Sequence, residues 1–244
     1  MLVLLLAGGC STLYVPNTLH TPLLSEKGEV ALRLHSGSSS LDAQAALALS
    51  GGAKGGLAVS AAYSLNRKGG DTPQAGYAKQ QFAELGVGHF FRLDSSGIFE
   101  VFTGYGRGKA EATKTLGTGF PVDEQATGNY QRFFVQANLG ASARLLEAGV
   151  AARFSYVDFT RLSITRKTPK RPSAFFAEPL LFIKVGGGPT SGKFPNIKAE
   201  LQFGAHLPLG PRPDFDFPLF HARLGIDLRF NRRYLRDKPK GMEK

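Results

Sequence analysis

The sequence predicts an all-β protein, a single transmembrane up-and-down antiparallel β-barrel of about ten strands. Three observations lead there. From about residue 28 onward, apolar and polar residues alternate in segments separated by glycine-rich or polar turns, the mark of strands whose two faces meet different media. The links between these segments are by turns short and mostly longer, as in barrels with tight turns at one end and loops at the other. No apolar run approaches the roughly 18 residues of a membrane helix. A mean hydropathy of -0.12 resembles that of a soluble protein, as it must when only every second residue meets lipid. Thirty glycines among 244 residues suit many strands and tight turns.

The chain divides into a signal-like segment (1–9), a lead-in (10–27), the barrel (28–231) and a basic C-terminal tail (232–244). Residues 1–9 are apolar and end in small residues before the sole cysteine, Cys10, in the run LAGGC. This resembles a lipoprotein signal, and the resemblance implies acylation of Cys10. Two features depart from it: no basic residue precedes the apolar stretch, and Ala7 stands where leucine is usual. The alternative is a small buried cysteine, since a lone cysteine has no disulfide use. Ser11 and Thr12 follow without the acidic residues that direct export, so the N-terminus is expected on the periplasmic face.

The clearest strand runs from Arg132 to Leu145, with Phe133, Val135, Ala137, Leu139 and Ala141 on one face and Arg132, Gln136, Asn138 and Ser142 on the other. Phe134 is the one apolar residue of the polar set. Val150, Ala152, Phe154 and Tyr156 repeat the pattern, so a hairpin turning at 146–148 is expected. Strong alternation also marks 197–206 and 220–230, and weaker alternation marks 28–36, 41–50, 57–66, 78–92, 98–108 and 174–186. With the N-terminus periplasmic, the turns at 51–56, 93–97, 146–148 and 187–193 fall on that side, and the links at 67–77, 109–128, 162–173 and 208–217 fall outside.

Charged residues occupy the polar face in mid-strand: Glu84, Glu100, Arg132, Arg144, Arg153, Glu178, Lys184, Lys198, Glu200, Arg223, Asp227 and Arg229. Inside a barrel these would pair. The opposite face is apolar over whole strands, with Tyr63, Phe91, Phe99, Tyr105, Tyr156, Phe175 and Phe230 towards the ends, like a lipid belt with aromatic girdles. Pro179 requires a bulge, because a closed barrel has no edge to receive a residue without an N–H. On these features, with the lead-in YVPNTLHTPLLSEKGEV and the last strand LFHARLGIDLRF, residues 10–230 resemble the outer-membrane β-barrel proteins of Bacteroidetes-like bacteria. The resemblance implies a bacterial outer-membrane location and carries no activity.

Candidate sites are few. The net charge of +11 is partly concentrated in an outer loop with Arg161, Arg166, Lys167, Lys170 and Arg171, which contains no acid. Nucleic acid is not the expected partner, because the aromatic residues are not interleaved with this cluster. At an outer-membrane surface the cluster would face the phosphates of lipopolysaccharide. His35, His206 and His221 lie at strand ends on the polar face and would gather at the outer mouth, a candidate metal set. Asp214, Asp216 and His221 resemble the acid and Asp–His pairs of the ten-stranded omptin proteases in one short spacing, with no second acidic pair opposite. The reading is therefore of a membrane protein that is not an enzyme, has no cofactor, and has a structural or surface-interaction role. The alternatives are a narrow pore for small solutes or an omptin-like hydrolase. Oligomeric state is not legible.

Overall fold

The computed structural model describes residues 12–37, 40–69, 77–115, 123–143, 145–165, 171–187, 196–211 and 213–230. Cys10, Arg144, Arg166, Lys167, Lys170 and the C-terminal tail lie outside them. The strands are β1 (Val30–Ser36), β2 (Ser40–Ala48), β3 (Gly55–Lys68), β4 (Ala78–Arg92), β5 (Gly97–Thr115), β6 (Asp123–Ser142), β7 (Leu146–Ile164), β8 (Ser173–Gly186), β9 (Asn196–Ala205), β10 (Leu207–Leu209) and β11 (Phe220–Phe230). Neighbours in sequence pair antiparallel from β1 to β9, β9 pairs with β11, and β11 pairs with β1, which closes the ring. The three-residue β10 continues β9 along β8, so ten staves make the wall.

Which face points where follows from the alternation. Phe133, Val135 and Leu139 are exposed on the outside, whereas Arg132, Gln136 and Asn138 are buried inside. The same holds for every predicted lumen charge among the described residues, with Arg229 alone slightly exposed. The outer surface is largely apolar in the middle of the wall, as Leu85, Phe154, Leu181 and Leu224 illustrate, and the exposed Thr103 there donates its hydroxyl to the Phe134 carbonyl at 2.9 Å.

Four boundaries differ from the sequence reading. The expected link at 109–128 is mostly wall, since β5 runs to Thr115 and β6 begins at Asp123 with the two paired throughout. Likewise β7 runs on to Ile164, shortening the next link. The β6–β7 turn falls at 143–145, closed by an Ala143 N–H to Leu146 carbonyl bond of 2.9 Å, which carries Glu147 from the expected turn into the lumen. Pro179 needs no bulge. The register is unbroken from Ala177↔Leu207 to Leu180↔Gly204, and only the two bridges between them are missing. The Ala205–Leu207 break opposite Pro179 gives the imino acid its gap, and the His206 N–H turns to the carbonyl of Leu219 at 2.8 Å.

Short turns at 49–54, 93–96 and 143–145 gather at one end, while most of the longer links gather at the other. In the second of these turns Asp94 Oδ1 accepts the Ser96 and Gly97 N–H groups at 2.7 and 2.6 Å, and these backbone bonds hold its carboxyl below the usual range.

The lumen face explains part of the glycine content expected from many strands and tight turns. Gly104, Gly106 and Gly108 form an inward stripe on β5, covered by rings from the flanking strands. A Cβ on Gly106 would lie 2.3 Å from Phe82 Cζ, and one on Gly104 would lie 2.4 Å from Phe134 Cε1. That is why Phe134 sits on the polar face: its ring fills the space that the glycine leaves.

Candidate functional site

The main feature absent from the sequence reading is inside the barrel. Residues 13–24 run through the lumen as an extended segment with no secondary structure, and all but Val15 are buried. Gly28, at a φ of 78°, turns this segment into β1 at the short-turn end, with its N–H on the Ala48 carbonyl at 2.8 Å. Glu29 Oε2 closes that turn by accepting from the Ser25 and Glu26 N–H groups. From there the segment climbs to the opposite mouth, where the Tyr14 N–H donates to the Asp216 carbonyl at 3.1 Å. Thr12–Tyr14 therefore lie at the end of the longer links, whereas the N-terminus is expected from sequence at the short-turn end.

An extended strand without a partner exposes backbone groups that must be satisfied. Here lumen side chains satisfy them. Gln80 pairs reciprocally with Val15, accepting its N–H at 2.7 Å and donating to its carbonyl at 2.8 Å. Asp42 accepts from the Thr18 N–H, and Gln44 donates to the Thr18 carbonyl. Gln202 donates to Leu19, Gln136 and Asn138 to His20, Lys184 and Arg33 to Thr21, and Arg229 to Pro22. Glu100 accepts the Leu24 N–H at 2.7 Å. The apolar side chains complete the fit. Leu19 and Leu23 pack with Ile98, Ala151, Leu180 and Phe182, while Leu24 packs with Phe90, Phe102 and Phe134. Leu23 holds a φ of 50°, which costs a non-glycine residue roughly 1–2 kcal/mol and is offset by complete burial of its side chain.

Two ion networks brace the segment. In one, Glu84 on β4 bonds Arg132 and lies 3.5 Å from Arg153, and both guanidiniums donate to Asn17 of the threaded segment. Arg132 and Arg153 also stack over Phe82 and Phe134, at 4.4 and 4.6 Å from the ring centroids. In the other, Arg33 lies between Glu200 and Asp227, Lys184 joins Asp227 to Glu147, and Arg229 joins Glu147 to Glu29. Above them an aromatic cluster of Tyr14, Phe82, Tyr130, Phe159, Phe176 and Phe215 fills the mouth. A lumen void beside His20, Glu84, Phe134 and Arg153 has about 10 Å³ for water centres, enough for one water molecule.

The histidines predicted to gather do so only in part. His206 and His221 stack, with centroids 4.5 Å apart, near Glu178. His35 instead bonds Glu200 at 3.1 Å within the second ion network. Among the described residues no group of three or more His, Cys, Asp or Glu is arranged to hold a metal ion. Neither ring nitrogen of His221 has a hydrogen-bond partner, so the Asp–His pair of the omptin resemblance is not formed. Of the basic cluster, Arg161 is on the outer face of β7 and not in a loop, and Arg171 donates to the Thr160 carbonyl at 2.8 Å. Glu29, Arg33, Asp42 and Glu147 are lumen charges that the sequence reading missed. The first three follow the alternation of the weaker strands and were readable there.

No family model matches the chain, and no curated protein does. Among solved structures, the translocator domain of the autotransporter NalP from Neisseria meningitidis matches over 83% of this chain and 86% of that one, at 13% identity and a TM-score of 0.48. The closed ring of ten staves rests on the chain's own strand pairing.

Proposed function

We propose that the protein is a sealed barrel of the bacterial outer membrane, whose structural or surface-interaction role is carried by its outer face and not by passage of solutes through it. The observation that carries this reading is the threaded N-terminal segment, buried along residues 16–24 and hydrogen-bonded to side chains from nine of the ten staves. Membrane insertion is supported by the outward band of Leu, Val, Ile and Phe and by outward aromatic pairs, Tyr105–Phe133 and Tyr156–Phe175, with centroids 4.8 and 4.7 Å apart. With the longer links outward, Thr12–Tyr14 lie at the outer mouth, in contrast to the periplasmic side expected for the N-terminus; residues 1–11 lie outside the described residues.

Purified protein in planar bilayers is expected to show no steady conductance, and its unboiled form is expected to migrate apart from its boiled form in gels. Large stable openings would favour the narrow-pore reading instead. Acylation of Cys10 rests on the sequence resemblance. It predicts palmitate labelling that Cys10→Ala abolishes, and labelling that survives the substitution would remove it.

A further inference from the structure

We propose that the outer rim of β5–β7 binds the phosphate of an outer-leaflet glycolipid of the lipopolysaccharide type. The proposal rests on the membrane reading above and gives it a partner and a place. A groove of about 580 Å³ opens on the lipid-facing side of the wall, bordered by Tyr63, Arg107, Lys109, Asn129, Gln131 and Thr160. Its height is set by register. Tyr105, Phe133, Tyr156 and Phe175 are direct cross-strand neighbours and form an outward aromatic row. Arg107 and Lys109 stand two and four residues further along β5 towards the long-link end, roughly 7 and 13 Å along the strand. Cations just beyond an aromatic row are where the acyl region gives way to headgroup phosphates.

The cations are set in place by the fold. Arg107 Nε donates to the Tyr105 hydroxyl at 2.5 Å, Tyr105 donates to Gln131 at 3.1 Å, and Gln131 donates to Asp158 at 2.9 Å. This line of bonds orients the guanidinium at the groove. In the next row, Lys109 faces Asn129, which faces Arg161. Arg161 reaches the outside only because β7 carries one extra residue there: Asn129 pairs with Arg161 and Tyr130 with Phe159, which leaves Thr160 unpaired. Strict alternation from Phe159 inward would have turned Arg161 into the lumen; the bulge re-aims it. Among the described residues neither Lys109 nor Arg161 has an ion-pair partner, and Asp158 is the carboxylate within this line of bonds. The lumen does not account for the positive excess either, since its described buried residues include eight carboxylates and seven Lys or Arg when Arg229 is counted. Arg and Lys at such spacing suit a phosphate monoester carried on a lipid.

The test uses the full chain in neutral detergent, with lipid retention read by native mass spectrometry. The wild type is expected to retain bis-phosphorylated lipid A and to release the dephosphorylated form. Arg107→Gln with Lys109→Gln should lower retention roughly tenfold, whereas Lys54→Gln with Arg92→Gln, at the opposite end, should not. Every variant is first required to show the heat-dependent mobility of the folded barrel. Equal retention by wild type and the Arg107/Lys109 variant would overturn the proposal, as would displacement of lipid A by equimolar inorganic phosphate, which would mark a site for soluble anions. Failure of the wild type to insert into vesicles would defeat the membrane reading, a result distinct from either of these.

Discussion

Glu84→Ala is expected to destabilise the barrel by about 3–5 kcal/mol, the cost of stripping a counter-ion from buried charge. Glu84 is the one carboxylate in ion-pair contact with both Arg132 and Arg153 among the described residues, and all three side chains are at most 5% exposed. Without it two guanidiniums would remain in the lumen with a tyrosine hydroxyl, amide oxygens and ring faces as partners. Glu84→Gln keeps an acceptor and should cost less than the alanine variant. Replacing the pair together, Glu84→Leu with Arg132→Met, removes both the carboxylate and one of the stranded charges, so the double variant should recover part of the loss. The loss of the fast-migrating unboiled form with temperature, or the urea midpoint in vesicles, measures each. A change within about 0.5 kcal/mol for Glu84→Ala, the range of an ordinary surface substitution, would show that the network is not a counter-ion system.

Leu19→Asp is expected to open the lumen. Leu19 is completely buried, and its side chain lies among Leu23, Ile98, Ala151, Leu180 and Phe182. Truncating such a leucine typically costs 2–5 kcal/mol, and a carboxylate there would add an unpaired charge. The wall is covalently independent of the threaded segment beyond Gly28, so the cheaper response is to expel the segment and let water hydrate the polar lumen. Bilayer recordings should then show steady current steps where the wild type shows none, with heat-dependent mobility retained, while Leu19→Met stays closed. A folded Leu19→Asp barrel that remains silent would mean that the aromatic cluster and the ion networks close the lumen without the segment.

The wall was legible because strand alternation is enforced at every position by two immiscible surroundings. Arg132, Arg153 and Asp227 face inward, as their period demands, and Leu139 and Phe154 face outward. The threaded segment was not legible for the opposite reason: it is held largely through its backbone, so its side chains carry no period, and Leu19, Leu23 and Leu24 read as an irregular lead-in. One sign was present in the wall itself. Gln44, Gln80, Gln136, Asn138 and Gln202 all point inward, and ion pairs alone have no need of so many amides; their partners are the peptide groups of another strand. The His35–Glu200 bond was out of reach because it joins residues 165 apart across a seam that only closure of the ring creates. Arg161 reads as a loop residue because one extra residue in β7 leaves no trace in residue type, only in pairing.

The direction of the threaded segment constrains how the molecule is assembled. Its side chains and peptide groups touch staves on all sides, including β9 and β11 at the far end of the chain, so feeding it through a finished cylinder would require the packed lumen side chains to part along its length. Laying it against the growing sheet while an opening remains avoids that cost, and the β1–β11 seam, which joins Val30 to Phe230, is the natural last joint. Fusing a bulky, rapidly folding cargo ahead of Thr12 should therefore obstruct biogenesis far more than the same cargo spliced into the 69–77 link, because only the former has to reach the distal mouth before the gap is sewn shut.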